Sequence, residues 1–316
     1  MSEGRSAHPH VWSVPEREVL ASAVAAAPSV HNARPWTFVV REHVAELRPH
    51  PVDLLDEHDP LGRDRDLSLG AALTNLLLAV EHLGLVPRVD EVAEPGCERA
   101  ITTVTATHRT EPSEAAERRF AALTHRRSHR GAFPGGRLTD AERASLRAAA
   151  GLAPGETRWI TGASEALAVA RSLSYAARVM HADAAYQREL AHWIVYEDAV
   201  GGPNPESGIP ESALGWRGLP AVGLVTDRTK LPDEALLASR IEHDSVLVLC
   251  GEGDAAGDHV RIGRALQLVW LEATSRGMAA SVMTQPLRLG EVRAAIAEEL
   301  ELPGKPHALM RFGHRS

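Results

Sequence analysis

Apolar and polar positions alternate along this chain in two rhythms, helical and extended, and the rhythms follow one another in the same order twice. EREVLASAVAAA carries Leu20, Val24 and Ala27 on one helical face. Ser13 followed three residues on by Glu16 is a capping-box pattern at its start, with Pro15 tolerated in the first turn. Pro28, which lacks the N–H a helix needs to continue, stops it. TFVVREHVAELRPH then reads as two short strands joined by a turn. Arg63 to Asp66 reads as a charged lead-in to LSLGAALTNLLLAVEHLGLVPRV, an apolar helix ending at Gly84. ITTVTATHR (Ile101 to Arg109) is a β-rich strand, and EPSEAAERRF a charged helix or linker.

The second half repeats this order. Thr139 and Glu142 form another capping box, opening TDAERASLRAAAG, and WITG begins a strand at Trp159. SVLVLC reads as a buried strand, IGRALQLVWLEATSRGMAASV as a second long apolar helix, and HALMRFG as a closing strand. Gly70 and Gly263, Gly84 and Gly277, Leu69 and Ile262, and Leu73 and Leu266 all match at one offset of 193. Trp36 and Trp159 match at 123, so the difference of 70 places an insertion of that length after Trp159. The pattern predicts an internal duplication, with one half over residues 1–118 and a second over 119–316. The insertion, at about 164–232, reads as one or two helices followed by GGPNPESGIPESALGWRGLP, Gly201 to Pro220. Trp193, Tyr196 and Trp216 favour an ordered lid there over a disordered linker.

Composition narrows the class without naming a chemistry. The 316 residues, 44 % apolar and 24 % charged, are those of an ordinary globular protein. No apolar stretch is long enough to span a bilayer, and MSEGRSAHPHVWS lacks the apolar core of a signal peptide, so a cytoplasmic protein with no membrane partner is expected. A net charge of −8 argues against nucleic acid. Lys230 and Lys305 are the only lysines, so any phosphate must be held by arginine forks or backbone N–H groups. Cys97 and Cys250 read as free thiols. Sixteen histidines without HExxH or paired spacing predict no metal site. GEGDAAG lacks both GxGxxG and GKS/T and reads as a connecting loop.

Two stretches carry candidate chemistry. AAPSVHNARPW (Ala26 to Trp36) sets Ser29, His31 and Asn32 between a helix end and a β-branched strand, where polar groups can face a ligand. THRRSHRGAF (Thr124 to Phe133) surrounds Ser128 with Arg126, Arg127 and Arg130, donors suited to phosphate oxygens. The first stretch resembles the signature loop of the FMN-dependent nitroreductase family, and RRSHRGAF resembles that family's phosphate-binding segment. The family's enzymes are homodimers, in which one subunit gives the phosphate segment and the other the PSxxN-type loop. Here the first half keeps the loop and the second keeps the arginine segment; GLAPGETRW, three residues shorter, fills the place of the second loop. The pattern looks like the actinobacterial Acg-like flavoproteins, in which one chain imitates a nitroreductase dimer.

That resemblance implies an α+β, nitroreductase-like fold: two related halves, each a mostly antiparallel sheet flanked by helices, fused as a pseudo-dimer that is plausibly a monomer. It implies one FMN between the halves and hydride transfer from NAD(P)H to a small electron acceptor, the flavin carrying the chemistry and no side chain acting as catalyst. The alternative is an Acg-like flavin-sequestering protein whose lid covers FMN. Pro28, Ser29, His31 and Asn32 would meet the ring system, and Arg126, Ser128 and Arg130 the phosphate and ribityl end. Met283, Thr284 and Gln285, by position after the second apolar helix, would lie near flavin N5, and Arg311 and Arg315 would complete the phosphate pocket. The family's usual glutamine in the loop is Arg34 here.

Overall fold

The computed structural model describes residues 9–53, 55–92, 101–196, 207–214 and 218–314, so Cys97, Trp216 and Arg315 lie outside the described residues. The chain opens with α1 (Val14–Ala25), whose capping box forms as expected: the Ser13 backbone N–H donates to Glu16 Oε2 at 2.8 Å. There follow β1 (Trp36–Val40), β2 (Ala45–Pro49), α2 (Arg63–His82), β3 (Leu85–Val92), β4 (Ile101–Arg109) and α3 (Glu114–Ala122). Next come α4 (Asp140–Ala150), β5 (Thr157–Trp159), α5 (Gly162–Ala182), α6 (Ala184–Trp193), β6 (Ile194–Val195), β7 (Ile209–Pro210) and α7 (Glu234–His243). The chain closes with β8 (Ser245–Gly251), α8 (Ala256–Ser275), β9 (Met278–Met283), α9 (Gly290–Glu299) and β10 (Lys305–His314).

The fold is α+β, with two four-stranded antiparallel sheets ordered β1-β2-β4-β3 and β5-β8-β10-β9. Taken in chain order within each sheet, the two topologies are the same. β6 and β7 form a separate short parallel pair. No helix among the described residues is long and apolar enough to cross a membrane.

The long helices α2 and α8 run side by side in one direction between the sheets. A Cβ on Gly70 would lie 2.1 Å from the Val260 carbonyl oxygen, and one on Gly263 would lie 2.1 Å from that of Leu67. Only glycine permits so close an approach of two backbones. Leu67 and Val260 are themselves 193 residues apart, as the two glycines are, so the contact reads the same from either helix. One turn and more further on, buried Gln267 Nε2 donates to Asn75 Oδ1 at 2.7 Å, so the seam carries a buried polar contact of its own.

Three sequence expectations are corrected. Arg63 to Asp66 is no lead-in but the first turn of α2, with Arg63, Asp64 and Asp66 all buried. The second apolar run is not one helix: α8 ends before Gly277, and GMAASV turns at that glycine into β9, as the first run turns at Gly84 into β3. Both glycines have left-handed φ, +72° and +75°, which lets the helix reverse into a strand within one residue. Trp36 opens β1 whereas Trp159 ends β5, so the tryptophans occupy opposite ends of their strands. The connection from β5 to β8 spans residues 160–244, where β1 and β2 are joined by a turn at residues 41–44.

Candidate functional site

The elements after α1 and before α4 bring two polar loops to one cleft between the sheets. The first loop is strained: His31, Asn32 and Arg34 all have left-handed φ, at 47°, 57° and 49°. Such values are uncommon outside glycine and cluster where surrounding structure enforces them. The enforcement is visible. Ser29 Oγ accepts from the Arg34 backbone N–H at 2.9 Å, and the Val30 N–H donates to Ser68 Oγ of α2 at 3.0 Å.

The second loop lies along the edge of the other sheet. Ser128 bridges to Ala280 of β9, and the His129 N–H donates to the Ala280 carbonyl at 2.8 Å. Arg311 fastens it from behind: its guanidinium donates to the Gly131 carbonyl at 2.8 Å and to that of His129 at 3.3 Å, and its Nε pairs with Asp244 at 2.9 Å.

Counted out to its mouth, open solvent included, the cleft takes in about 870 Å³. Pro28, Ser29, His31, Ser128, Arg130, Met283, Thr284 and Gln285 line it together, drawn from both halves of the chain. Asn32 and Arg126 are not among the lining residues; Arg126 lies just behind, its guanidinium 4.6 Å from the ring centre of Trp270, which does line the cleft. Arg311 is a correction to its expected place in the pocket. It is wholly buried between Asp244 and Phe133 and holds the arginine loop in position without lining the cleft.

The electrostatics of the cleft favour an anion. Neither Arg126 nor Arg130 makes an ion pair, and Arg126 Nε is buried with no hydrogen-bond partner, among the described residues. Burial first, then the neighbouring Arg127, pushes Arg126 down to about 10. Burial likewise lowers Arg130. A buried cation without a counter-charge is costly, and an anionic ligand would remove the cost.

Residues the sequence reading passed over complete the walls. Asp64, Leu67, Ser68 and Ala71 follow the i, i+3, i+4, i+7 spacing of one helical face, so the polar interruptions of an apolar helix were a usable signal. Asp64 Oδ2 accepts from Thr284 Oγ1 at 2.6 Å and from Gln285 Nε2 at 3.0 Å, which ties α2 to the segment after β9. Arg63 adds donations to the carbonyls of Leu287 and Thr284 at 2.9 and 3.1 Å. The start of α2 is capped by Asp59, whose carboxylate accepts from the backbone N–H groups of Asp64 and Arg65, both at 2.9 Å. Burial and then the Asp64 charge raise Asp59 to about 7. Gly223 and Leu224 of the insertion also reach the cleft, and the Gly208 N–H donates to the His31 carbonyl at 3.0 Å. All three fall within the 164–232 stretch expected to form a lid, though no local motif picked them out individually.

The sequence profile described as "Nitroreductase family" matches residues 215–314. Over 301 residues the chain is 29 % identical to the Mycobacterium tuberculosis protein named "Putative NAD(P)H nitroreductase Rv3131", spanning 94 % of this chain and 84 % of the relative. It is 27 % identical over 307 residues to the M. tuberculosis protein named "Putative NAD(P)H nitroreductase acg", spanning 94 % and 89 %. Among solved structures, a Bacteroides fragilis nitroreductase with bound FMN superposes at a TM-score of 0.37 with 15 % identity, covering 65 % of this chain and 89 % of its own. The NfnB nitroreductase of Mycobacterium smegmatis, in complex with NADPH, gives 0.36 and 19 %, covering 64 % and 88 %.

Proposed function

We propose, from the nitroreductase-family profile matched at residues 215–314 and the likeness to relatives named putative NAD(P)H nitroreductases, that the chain is a nitroreductase-family protein that binds one FMN in the cleft and passes a hydride from NAD(P)H to a small electron acceptor such as a nitroaromatic or a quinone. The observation that carries this reading is the meeting of the strained 28–34 loop with the arginine loop in one cleft, with Arg126 and Arg130 lacking any acidic partner among the described residues. A phosphate offers the negative charge that those two guanidinium groups lack as a partner among the described residues.

When bound, the flavin would supply the redox chemistry, accepting a hydride and giving it up again. This chain's residues do the holding and the tuning. Arg126, Ser128 and Arg130 would take the phosphate end, and Pro28, Ser29 and His31 one edge of the ring. Met283, Thr284 and Gln285 would face it from the opposite wall, kept in place by the Asp64 carboxylate. The positive charge of Arg130 favours an electron-rich, negatively charged ligand over its neutral form. Arg311 would act only through the loop it fastens.

We read the halves, residues 1–118 and 119–316, as a duplicated pair whose seam reproduces a subunit interface, so that a single chain completes one site and needs no second copy. The matched strand orders and the reciprocal glycine contact support this.

One observation favours a second reading, flavin sequestration with little turnover: the insertion itself forms part of the cleft wall through Gly223 and Leu224. Absorbance of the purified chain decides whether FMN is held, with one per chain expected. Anaerobic mixing with NADPH then separates the two. Bleaching within seconds supports the oxidoreductase, and a persistent yellow colour supports sequestration. Arg126→Ala combined with Arg130→Ala should abolish FMN retention; undiminished flavin in that variant removes the basis of both.

A further inference from the structure

Away from the cleft's polar loops, at the N-terminal end of α8, three side chains from separate elements converge. Asp254 comes from the GEGDAAG loop after β8, His259 from α8, and His307 from β10; one potential ligand atom of each lies within 4.8 Å of the other two. We propose that Asp254, His259 and His307 bind a divalent transition-metal ion, with zinc the best match to two imidazoles and one carboxylate.

His307 is the observation that demands a ligand. It is wholly buried, and neither ring nitrogen has a hydrogen-bond partner among the described residues. A buried imidazole with both nitrogens unsatisfied is rare in folded proteins and calls for an ion or a water. The ladder between β10 and β8 shifts register between Pro306 and Ala308, so His307 sits at an irregularity of the kind that re-aims a side chain. Its Nδ1 stands 4.0 Å from Asp254 Oδ1.

The surroundings of His259 fit the same role. Its Nε2 is 2.9 Å from Asp254 Oδ1, and its Nδ1 is 3.6 Å from a carboxylate oxygen of Asp66 on α2. Metal-bound imidazoles customarily give their second N–H to a carboxylate, which fixes the tautomer. Asp254 is 30 % exposed and provides the way in. Arg293 and Lys305 also contact Asp254, at 2.7 and 3.1 Å. Those two cations weaken the attraction for a metal, so the site should bind less tightly than a closed structural zinc centre. A bound ion would pin the start of α8 to β10 and, through Asp66, to α2. Both helices line the cleft.

The test is titration of the untagged full-length chain with zinc chloride by calorimetry, followed by gel filtration and metal analysis. One ion per chain, with a raised melting temperature, is expected. His307→Ala and Asp254→Asn should each remove stoichiometric binding, and Asp66→Asn should weaken it about tenfold. Cobalt(II) should give visible bands in the wild type that both ligand variants lose. Because Asp254 lies at the surface end of the cluster, its variant remains informative if His307→Ala does not fold. Absence of stoichiometric zinc in the wild type overturns the proposal. Equal binding by wild type and Asp254→Asn does so too, since it assigns the ion to some of the other fourteen histidines.

Discussion

The two sheets share a strand order but not an environment. In the first, Ala45, Leu47, Val104 and Ala106 face the core shared with α1 and α2, while the other face carries Glu46, Arg48, Thr103 and Thr105. In the second, Leu247, Leu249, Ala308, Met310 and Phe312 pack towards α4 and α8. Its opposite face, with Val246, Val248 and Leu309, is equally buried, under the helices of the insertion and α9. The first sheet therefore alternates apolar and polar residues as a half-solvated antiparallel sheet does, and β8 reads as an unbroken apolar run. One topology tolerates either pattern. What differs is whether something covers the second face.

Charged residues on the two outer faces give the largest test of this difference. Arg311 and Asp244 are a fully buried pair beneath the arginine loop, whereas Arg41 pairs with Glu46 from an exposed position. Arg311→Ala strands a buried carboxylate and should cost about 4 kcal/mol. Arg41→Ala should cost less than about 1 kcal/mol. Chemical denaturation of the two variants, read as midpoint shifts at constant slope, checks the pair. Equal losses would mean that the outer faces are not as different as their burial indicates.

Next in size is the apolar contrast. Leu309→Ala empties a fully buried position of β10 and should lose about 3 kcal/mol. Thr105→Ala on the outer face of β4 should stay within about 0.5 kcal/mol.

The seam between α2 and α8 should show the opposite behaviour, symmetry instead of contrast. Gly70→Ala and Gly263→Ala each press a methyl group onto a backbone carbonyl of the other helix and should each cost about 2 kcal/mol. Their double variant should lose less than the sum, because either change already parts the same contact. Strongly unequal single losses would break the reciprocity on which the duplicated reading rests.

The smallest effect is a pH dependence. Burial first, then His58 and Arg130, hold His31 well below the ordinary histidine value of 6.5. The unfolded chain then binds the proton more readily than the folded one. Stability from this group is present above about pH 6.5 and is lost as pH falls towards the folded pKa. Denaturation midpoints at the two pH values should show it, and His31→Gln should flatten that limb. His31 belongs to the first half, yet Trp193 of the insertion packs 5.8 Å from it, ring centre to ring centre. Its burial is partly the insertion's doing.

The amino-acid sequence determined what near neighbours in the chain decide. The two capping boxes, the buried run of β8 and the offset linking Gly70 to Gly263 follow from residues a few places apart or from periodicity. The polar loops of the cleft were legible for the same reason, since Pro28 and the arginine cluster announce themselves locally. Tertiary structure alone decided which of those residues face one space. Arg311 looks like an equal partner of Arg126 in the sequence, and only the packing of β10 beneath the arginine loop turns it away to Asp244. Asp64 looks like part of a solvated charge run until Thr284 and Gln285, 220 and 221 residues on, are brought to its carboxylate. The same is true of His307, whose ring nitrogens find no hydrogen-bond partner among the described residues only because β10 buries them. Local spacing sets what a backbone segment can form; burial and the choice of partner depend on segments hundreds of residues apart, which no short stretch records.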